Sequence, residues 1–306
     1  MPAWPFSLHA PAYRRRGFQG RAGVPQGNQT RKGRSRAMTI AAVILILVVL
    51  ALSARWTWWR SSAPGLKALC YHKVGVPPPG SRLKPLWVSP EKFRAQVKYL
   101  LDNGYTTLLF SDLKKLHDSG QPLPEKSVLI TFDDGYENNY THAWPILKEL
   151  GAKGNIFVVY NTIGKTNLWH NPASEPWVNM ATLEQLKEMQ DSGVIEYGSH
   201  TMNHPHLSTL KLEDAAWEMA ESRRQLEAAF GREMCAFAYP YGDGAYAPAI
   251  REKALEAGYT FDFSFRQGKT PWPWDRKAAT IDRLFIRGGD NNWDLALQLS
   301  RGASRL

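Results

Sequence analysis

Asp133 and Asp134 stand side by side at the end of an apolar run, 128–132, with Gly135 directly behind them. Taking a carboxylate out of water is costly unless it is paired, binds a metal or does chemistry. A second apolar run, 195–199, leads into His200 and, four residues on, His204. Pro205 disfavours a continuing regular helix at His204, so the two imidazoles belong on a short turn. One aspartate with two histidines is a ligand set for a catalytic divalent metal that keeps a position open for water. A histidine-rich loop alone is as readily plain surface; its coincidence with an Asp-Asp strand tip is what points to a metal. Adjacent strand residues face opposite ways, so the two aspartates have different jobs. One binds metal and the other handles protons. Gly135 supplies the conformational freedom for a sharp turn behind them.

These residues need a scaffold that delivers them to one place. Strand-like runs occur at 66–72, 106–110, 128–132, 155–159, 195–199, 235–239, 261–263 and 280–286. Amphipathic helical patterns lie between them at 90–103, 143–150, 182–191, 212–230 and 247–257, most of them stopping at or near a glycine. Strands separated by such helices predict βα units and a parallel sheet, and about eight of them predict an α/β barrel. In that architecture working residues collect at the C-terminal ends of strands. His72, Asp133-Asp134, His200 to His204, and Pro240-Tyr241-Gly242-Asp243 all occupy such ends. Cys70 and Cys235 lie inside apolar runs without metal-ligand spacing and read as core thiols.

The net charge of +10 raises nucleic acid as a partner, but its distribution excludes one. Residues 1–60 hold 10 of the 38 basic residues and no acidic ones, so residues 61–306 hold 28 basic against 28 acidic. Within the tail, residues 38–54 form an uncharged apolar run bounded by Arg36 and Arg55. With eight positive charges before the run and two after, it reads as a single membrane span with everything beyond residue 60 outside. Cleavage of the same segment as a signal peptide is the alternative, giving a secreted protein. The organisation is therefore a basic cytoplasmic tail (1–37), a transmembrane signal anchor (38–55), a linker (56–65) and an extracytoplasmic domain (66–306). Trp56, Trp58 and Trp59 suit a membrane interface.

"TFDDG" at 131–135 and "HTMNH" at 200–204 resemble the first two motifs of the polysaccharide deacetylases, carbohydrate esterase family 4. "AYPYG" at 238–242 fits the third, and "EAGY" at 256–259 and "IDRLFIRGG" at 281–289 resemble the later, looser motifs. The resemblance covers about residues 67–286. It implies a distorted (β/α) barrel that removes acetyl groups from a glycan polymer. By position it implies Asp133 as general base, and Asp134, His200 and His204 as ligands of one divalent ion, zinc or else cobalt, nickel or iron. It further implies the Tyr241 backbone N–H as an oxyanion donor, with Pro240 and Asp243 as neighbours on the substrate side. Two features depart from the pattern: Ala238 stands where many members carry an arginine that steadies the base, and no histidine follows His206. "LCYHKV" at 69–74, "FAYPYG" and "EYGSHTMNHPHLS" resemble the branch acting on poly-β-1,6-N-acetylglucosamine, which nominates His72 for the missing imidazole role. The substrate implied is that polymer, reached from the inner membrane. Peptidoglycan, chitin-like or O-acetylated glycans, and a non-catalytic glycan-binding role, are the alternatives.

Overall fold

The computed structural model describes residues 27–56, 61–62 and 64–305, with the side chains of 27–32 and Trp56 left out. The first 26 residues of the expected basic tail and the tryptophans at 58 and 59 lie outside them. The chain divides into two units, one ending at Ala51 and one running from Leu52 to Leu306. Helix α1 (Gly27–Trp56) carries the expected apolar segment. Its stretch Gly33–Arg55 has 23 residues and contains an 18-residue window of mean hydropathy 2.8 with no buried positions, which is long and apolar enough to cross a membrane.

In the second unit seven parallel strands close into a ring. In ring order these are β1 (Ala68–Tyr71), β10 (Ile281–Phe285), β9 (Phe261–Gln267), β8 (Ala236–Ala238), β7 (Ile195–Ser199), β6 (Gly154–Val158) and β5 (Ser127–Phe132), which returns to β1. All six β5 positions are buried, as expected where both strand faces are covered. Alternation splits the core into two layers. Ala68, Leu129, Phe157, Ala236 and Phe263 belong to one cluster, inside the ring. Leu69, Val128, Ile130, Ile156 and Phe237 belong to the other, which meets the surrounding helices.

Those helices start and stop as their sequences dictate. Ser89 Oγ accepts from Lys92 N–H at the head of α2 (Pro90–Asp102), and Thr182 with Gln185 forms a capping box on α5 (Leu183–Asp191). Helix α4 (Trp144–Leu150) ends at Gly151, and α6 (Leu212–Phe230) at Gly231, both left-handed. Helix α7 (Pro248–Glu256) begins on its proline.

The eighth expected strand does not enter the ring. β4 (Thr106–Leu108) pairs with Ser127 to Leu129 of β5, while β6 pairs with Thr131 and Phe132 further along. Both lie on the edge of β5 opposite β1, so the edge is split between them. The Asn155 side chain fills the split, accepting from Phe110 N–H and donating to Leu108 and Ile130 carbonyls. Phe110 was expected to end a strand; it opens helix α3 (Phe110–Asp118), where Asp112 accepts the Leu109 N–H. The short strands β2 (Lys73–Val74) and β3 (Trp87–Val88) and helix α8 (Asn292–Arg301) add elements that the sequence pattern did not announce.

Candidate metal and catalytic site

The C-terminal strand ends bring the expected residues together. Asp134 Oδ1 lies 3.4 Å from His200 Nε2 and 3.2 Å from His204 Nε2, and all three side chains are buried. The His200 Nδ1–H donates to the Ala238 carbonyl at 2.7 Å, which leaves the Nε2 lone pair facing Asp134. One ligand atom from each residue falls within a 4.8 Å group. Two imidazoles and one carboxylate so converged fit a divalent ion. Burial opposes the charge on Asp134, but the two imidazoles outweigh it and hold its pKa well below the usual carboxylate range.

The loop carrying the two histidines is fixed from behind. Buried Glu218 on α6 accepts the backbone N–H of Met202 and Asn203 and the Asn203 side-chain amide, tying down the loop between the histidines. His204 N–H donates to Thr201 Oγ1. The His204 ring stacks on Trp169 (4.3 Å, 23°) and meets Tyr241 edge-on (4.5 Å, 72°).

Backbone strain concentrates in these loops. Among the described residues, the non-glycine positions with positive φ are Asp134 (78°), Thr201 (71°), His204 (60°) and Tyr241 (58°), every one of them in a motif loop. Behind Tyr241, Gly242 has φ 72° and its backbone approaches Phe265 so closely that a Cβ would lie 2.4 Å from that residue's own. Only glycine fits there.

Asp133 is not one of the three converging residues; its carboxylate lies with Cys70 and His72 in a neighbouring group. Arg283, on β10 and fully buried, grips it with two hydrogen bonds, Nη1 to Oδ1 at 2.6 Å and Nη2 to Oδ2 at 2.9 Å. Arg283 is held in turn by the Ser264 carbonyl and lies over the Phe157 ring. Burial alone would raise the Asp133 pKa, but the guanidinium together with His200 and His72 outweighs it and keeps the carboxyl below its ordinary value. The arginine missing at Ala238 is thus supplied from another strand, a residue that sequence reasoning passed over. Its signal was present: in "IDRLF" the period of two sets Ile281, Arg283 and Phe285 on one face, an arginine among buried positions.

His72 Nε2 stands 3.9 Å from Asp133 Oδ2, with its ring edge toward Phe265. Burial pushes its pKa down, partly offset by the two aspartates. Cys70, read from sequence as an inert core thiol, is at the site as well: its Sγ is 3.7 Å from Asp133 Oδ2, and burial pushes its pKa well up, so it remains a thiol.

The third-motif residues divide. Tyr241 borders the site, 43% exposed and stacked on His206 (4.0 Å, 7°). Pro240 is buried at the head of a 3-10 turn. Asp243 accepts Ser208 N–H and Oγ–H, which ties this loop to the histidine loop. Asp262, on the neighbouring β9, is paired with Arg251 and Tyr239.

The polysaccharide deacetylase family model matches residues 120–261. A Bacillus subtilis protein, YxkH, named as a polysaccharide deacetylase, is 32% identical over 212 residues, 69% of this chain and 68% of its own. The poly-β-1,6-N-acetyl-D-glucosamine N-deacetylase of Staphylococcus epidermidis is 28% identical over 213 residues, 63% of this chain and 71% of its own. Among solved structures, IcaB from Ammonifex degensii superposes with a TM-score of 0.63 at 27% identity, covering 79% of this chain and 99% of that one.

Proposed function

Because the chain belongs to the polysaccharide deacetylase family, we propose that it is a metal-dependent N-deacetylase acting on a β-linked N-acetylglucosamine polymer, with poly-β-1,6-N-acetylglucosamine as its substrate. The observation that carries the reading is the doublet: Asp134 converges with two imidazoles while its neighbour Asp133 is kept ionised by Arg283 beside His72. A glycan-binding module has no use for an ionised base. The name of the Staphylococcus epidermidis relative supports the choice of polymer.

Asp134, His200 and His204 would hold one divalent ion, zinc before cobalt, nickel or iron. When bound it would polarise the acetyl carbonyl and acidify water. Asp133 takes the proton from the attacking water, whose oxygen bonds to the carbonyl carbon. The Tyr241 backbone N–H serves as oxyanion donor. His72 is held neutral by burial, so the proton it delivers to the leaving nitrogen is the one received from Asp133 across the 3.9 Å gap. The C–N bond then breaks, giving acetate and a free sugar amine. Pro240 and Asp243 shape the loop that presents Tyr241. Residues 38–55 act as a signal anchor in the inner membrane, with residues 66–306 on its outer side.

The test is acetate release by the full-length chain in detergent, loaded with zinc or cobalt and offered β-1,6- and β-1,4-linked N-acetylglucosamine oligomers. Release from the β-1,6 oligomer, lost in Asp133→Asn, is expected. Release from the β-1,4 oligomer alone would move the substrate to wall or chitin chemistry. No release from either by the metal-loaded chain would overturn the catalytic reading.

A further inference from the structure

His206 takes part in none of these steps, yet its exposed imidazole stacks on Tyr241, the ring centroids 4.0 Å apart and the planes at 7°. An exposed side chain is free to choose among rotamers, so a stack this close reflects an attraction between the two faces. The course of the loop sets it up. His204 has a left-handed backbone, Pro205 follows, and His206 is extended (φ −74°, ψ 102°) before the 3-10 turn Leu207–Thr209. The two imidazoles thereby bracket one phenol ring, His204 edge-on at 72° and His206 face to face. The contact continues along both loops. Asp243, which accepts the Ser208 N–H and Oγ–H, stands 3.9 Å from His206 Nδ1. Buried Leu207 packs at Gly244, where a Cβ would lie 3.3 Å from the leucine's own. Residues 206–208 are thus interlocked with residues 241–244.

Tyr241 needs such a hold. At its φ of 58° the Cβ crowds the following carbonyl, so an L residue stays there only when its surroundings impose it. Hydrogen bonds close the turn around it: Gly242 N–H donates to the Tyr239 carbonyl, and Asp243 N–H to the Pro240 carbonyl. These fix the chain on either side and leave the exposed Tyr241 ring to be held by side-chain contact. Ring direction and backbone N–H direction are tied together through Cα. A ring free to swing lets φ relax toward the negative values that L residues favour, and the N–H turns with it.

We infer that His206 is a positioning residue for the oxyanion donor: its face pins the Tyr241 ring and so keeps the Tyr241 backbone in the left-handed conformation that presents the N–H. The inference rests on the catalytic reading above, in which that N–H meets the oxyanion. What position 206 must supply is a flat ring; no proton is exchanged there. A histidine that merely covers Tyr241 would affect stability and leave turnover unchanged, and one that grips the sugar would affect KM.

The experiment measures acetate release by the zinc-loaded full-length chain in detergent, with kcat and KM separated, on whichever of the β-1,6- and β-1,4-linked N-acetylglucosamine oligomers the parent accepts. His206→Ala is expected to lower kcat about tenfold or more with KM within about twofold, because an oxyanion donor acts in the transition state alone. His206→Phe restores a flat face and is expected to bring kcat back to within about threefold of the parent. His206→Leu, with bulk but no flat face, is expected to stay as slow as His206→Ala. The visible absorbance band of the Co2+-loaded chain is expected unchanged in each variant, since the ligand set is untouched. A His206→Ala kcat within about twofold of the parent overturns the inference, as does an effect on KM alone. So does a His206→Phe variant as slow as His206→Ala, or a Co2+ band that shifts along with the loss of rate. Should His206→Ala fail to fold, His206→Leu against His206→Phe decides, and equal rates overturn the proposed stack. A parent chain that releases no acetate instead overturns the catalytic reading, a separate outcome.

Discussion

At the scale of single residues, the two charge relationships around the aspartate doublet have opposite purposes. Asp134 is surrounded by lone pairs, an arrangement completed by a cation. Asp133 already has its cation in Arg283 and keeps one oxygen edge toward His72. Removing the guanidinium leaves a buried carboxylate unpaired, so its pKa rises. Arg283→Ala is therefore expected to shift the acid limb of the kcat/KM pH profile to higher pH and to lower kcat by about a hundredfold or more. Arg283→Lys restores charge without the two-pronged grip and should recover only part of both. An unshifted acid limb would remove Asp133 from the role of base. The convergence of Asp134, His200 and His204 was legible in the sequence because their types and short spacings carry the pattern locally. Arg283 was not, because its partner is 150 positions away and the pairing exists only once β10 joins the ring beside β1.

At the scale of elements, the strand and helix pattern was largely readable, since buried parallel strands and capped amphipathic helices leave strong periodic signals. The closure of the ring was not. β4 and β6 have ordinary strand sequences, and nothing in either announces that they share one edge of β5. That arrangement depends on Asn155, whose side chain satisfies three backbone groups at the split. Asn155→Leu leaves an N–H and two carbonyls buried without that partner, at about 1–3 kcal/mol for each group left unsatisfied. The expected result is a loss of about 3 kcal/mol or more in urea unfolding, with β4 and the start of α3 losing amide-exchange protection first. Unchanged stability would mean that the split is held by packing alone. The strands β2 and β3 escaped notice because two residues are too few to show a period.

At the scale of the whole molecule, the basic excess is confined to the first 60 residues and the body is charge-balanced, so its response to pH is set by buried groups rather than by net repulsion. Burial lowers the pKa of His72, His170 and His204. Their contribution to stability is complete above the unfolded imidazole value of about 6.5 and is lost as pH falls through it, because the unfolded chain binds protons more readily. Asp133 and Asp134, both depressed, add a second loss below about pH 4. Thermal melts of the chelator-treated chain should therefore show a lower Tm at pH 5 than at pH 7.5, by about 2–4 °C for each kcal/mol lost. A flat Tm over that interval would contradict the burial of these imidazoles. The left-handed backbone of Asp134, Thr201, His204 and Tyr241 has a broader consequence. At about 1–3 kcal/mol each, these four conformations are a sizeable fraction of the stability a domain of this size possesses. Selection for heat resistance alone would relax these loops first, and a thermally hardened descendant would become inactive before any part of the barrel changed.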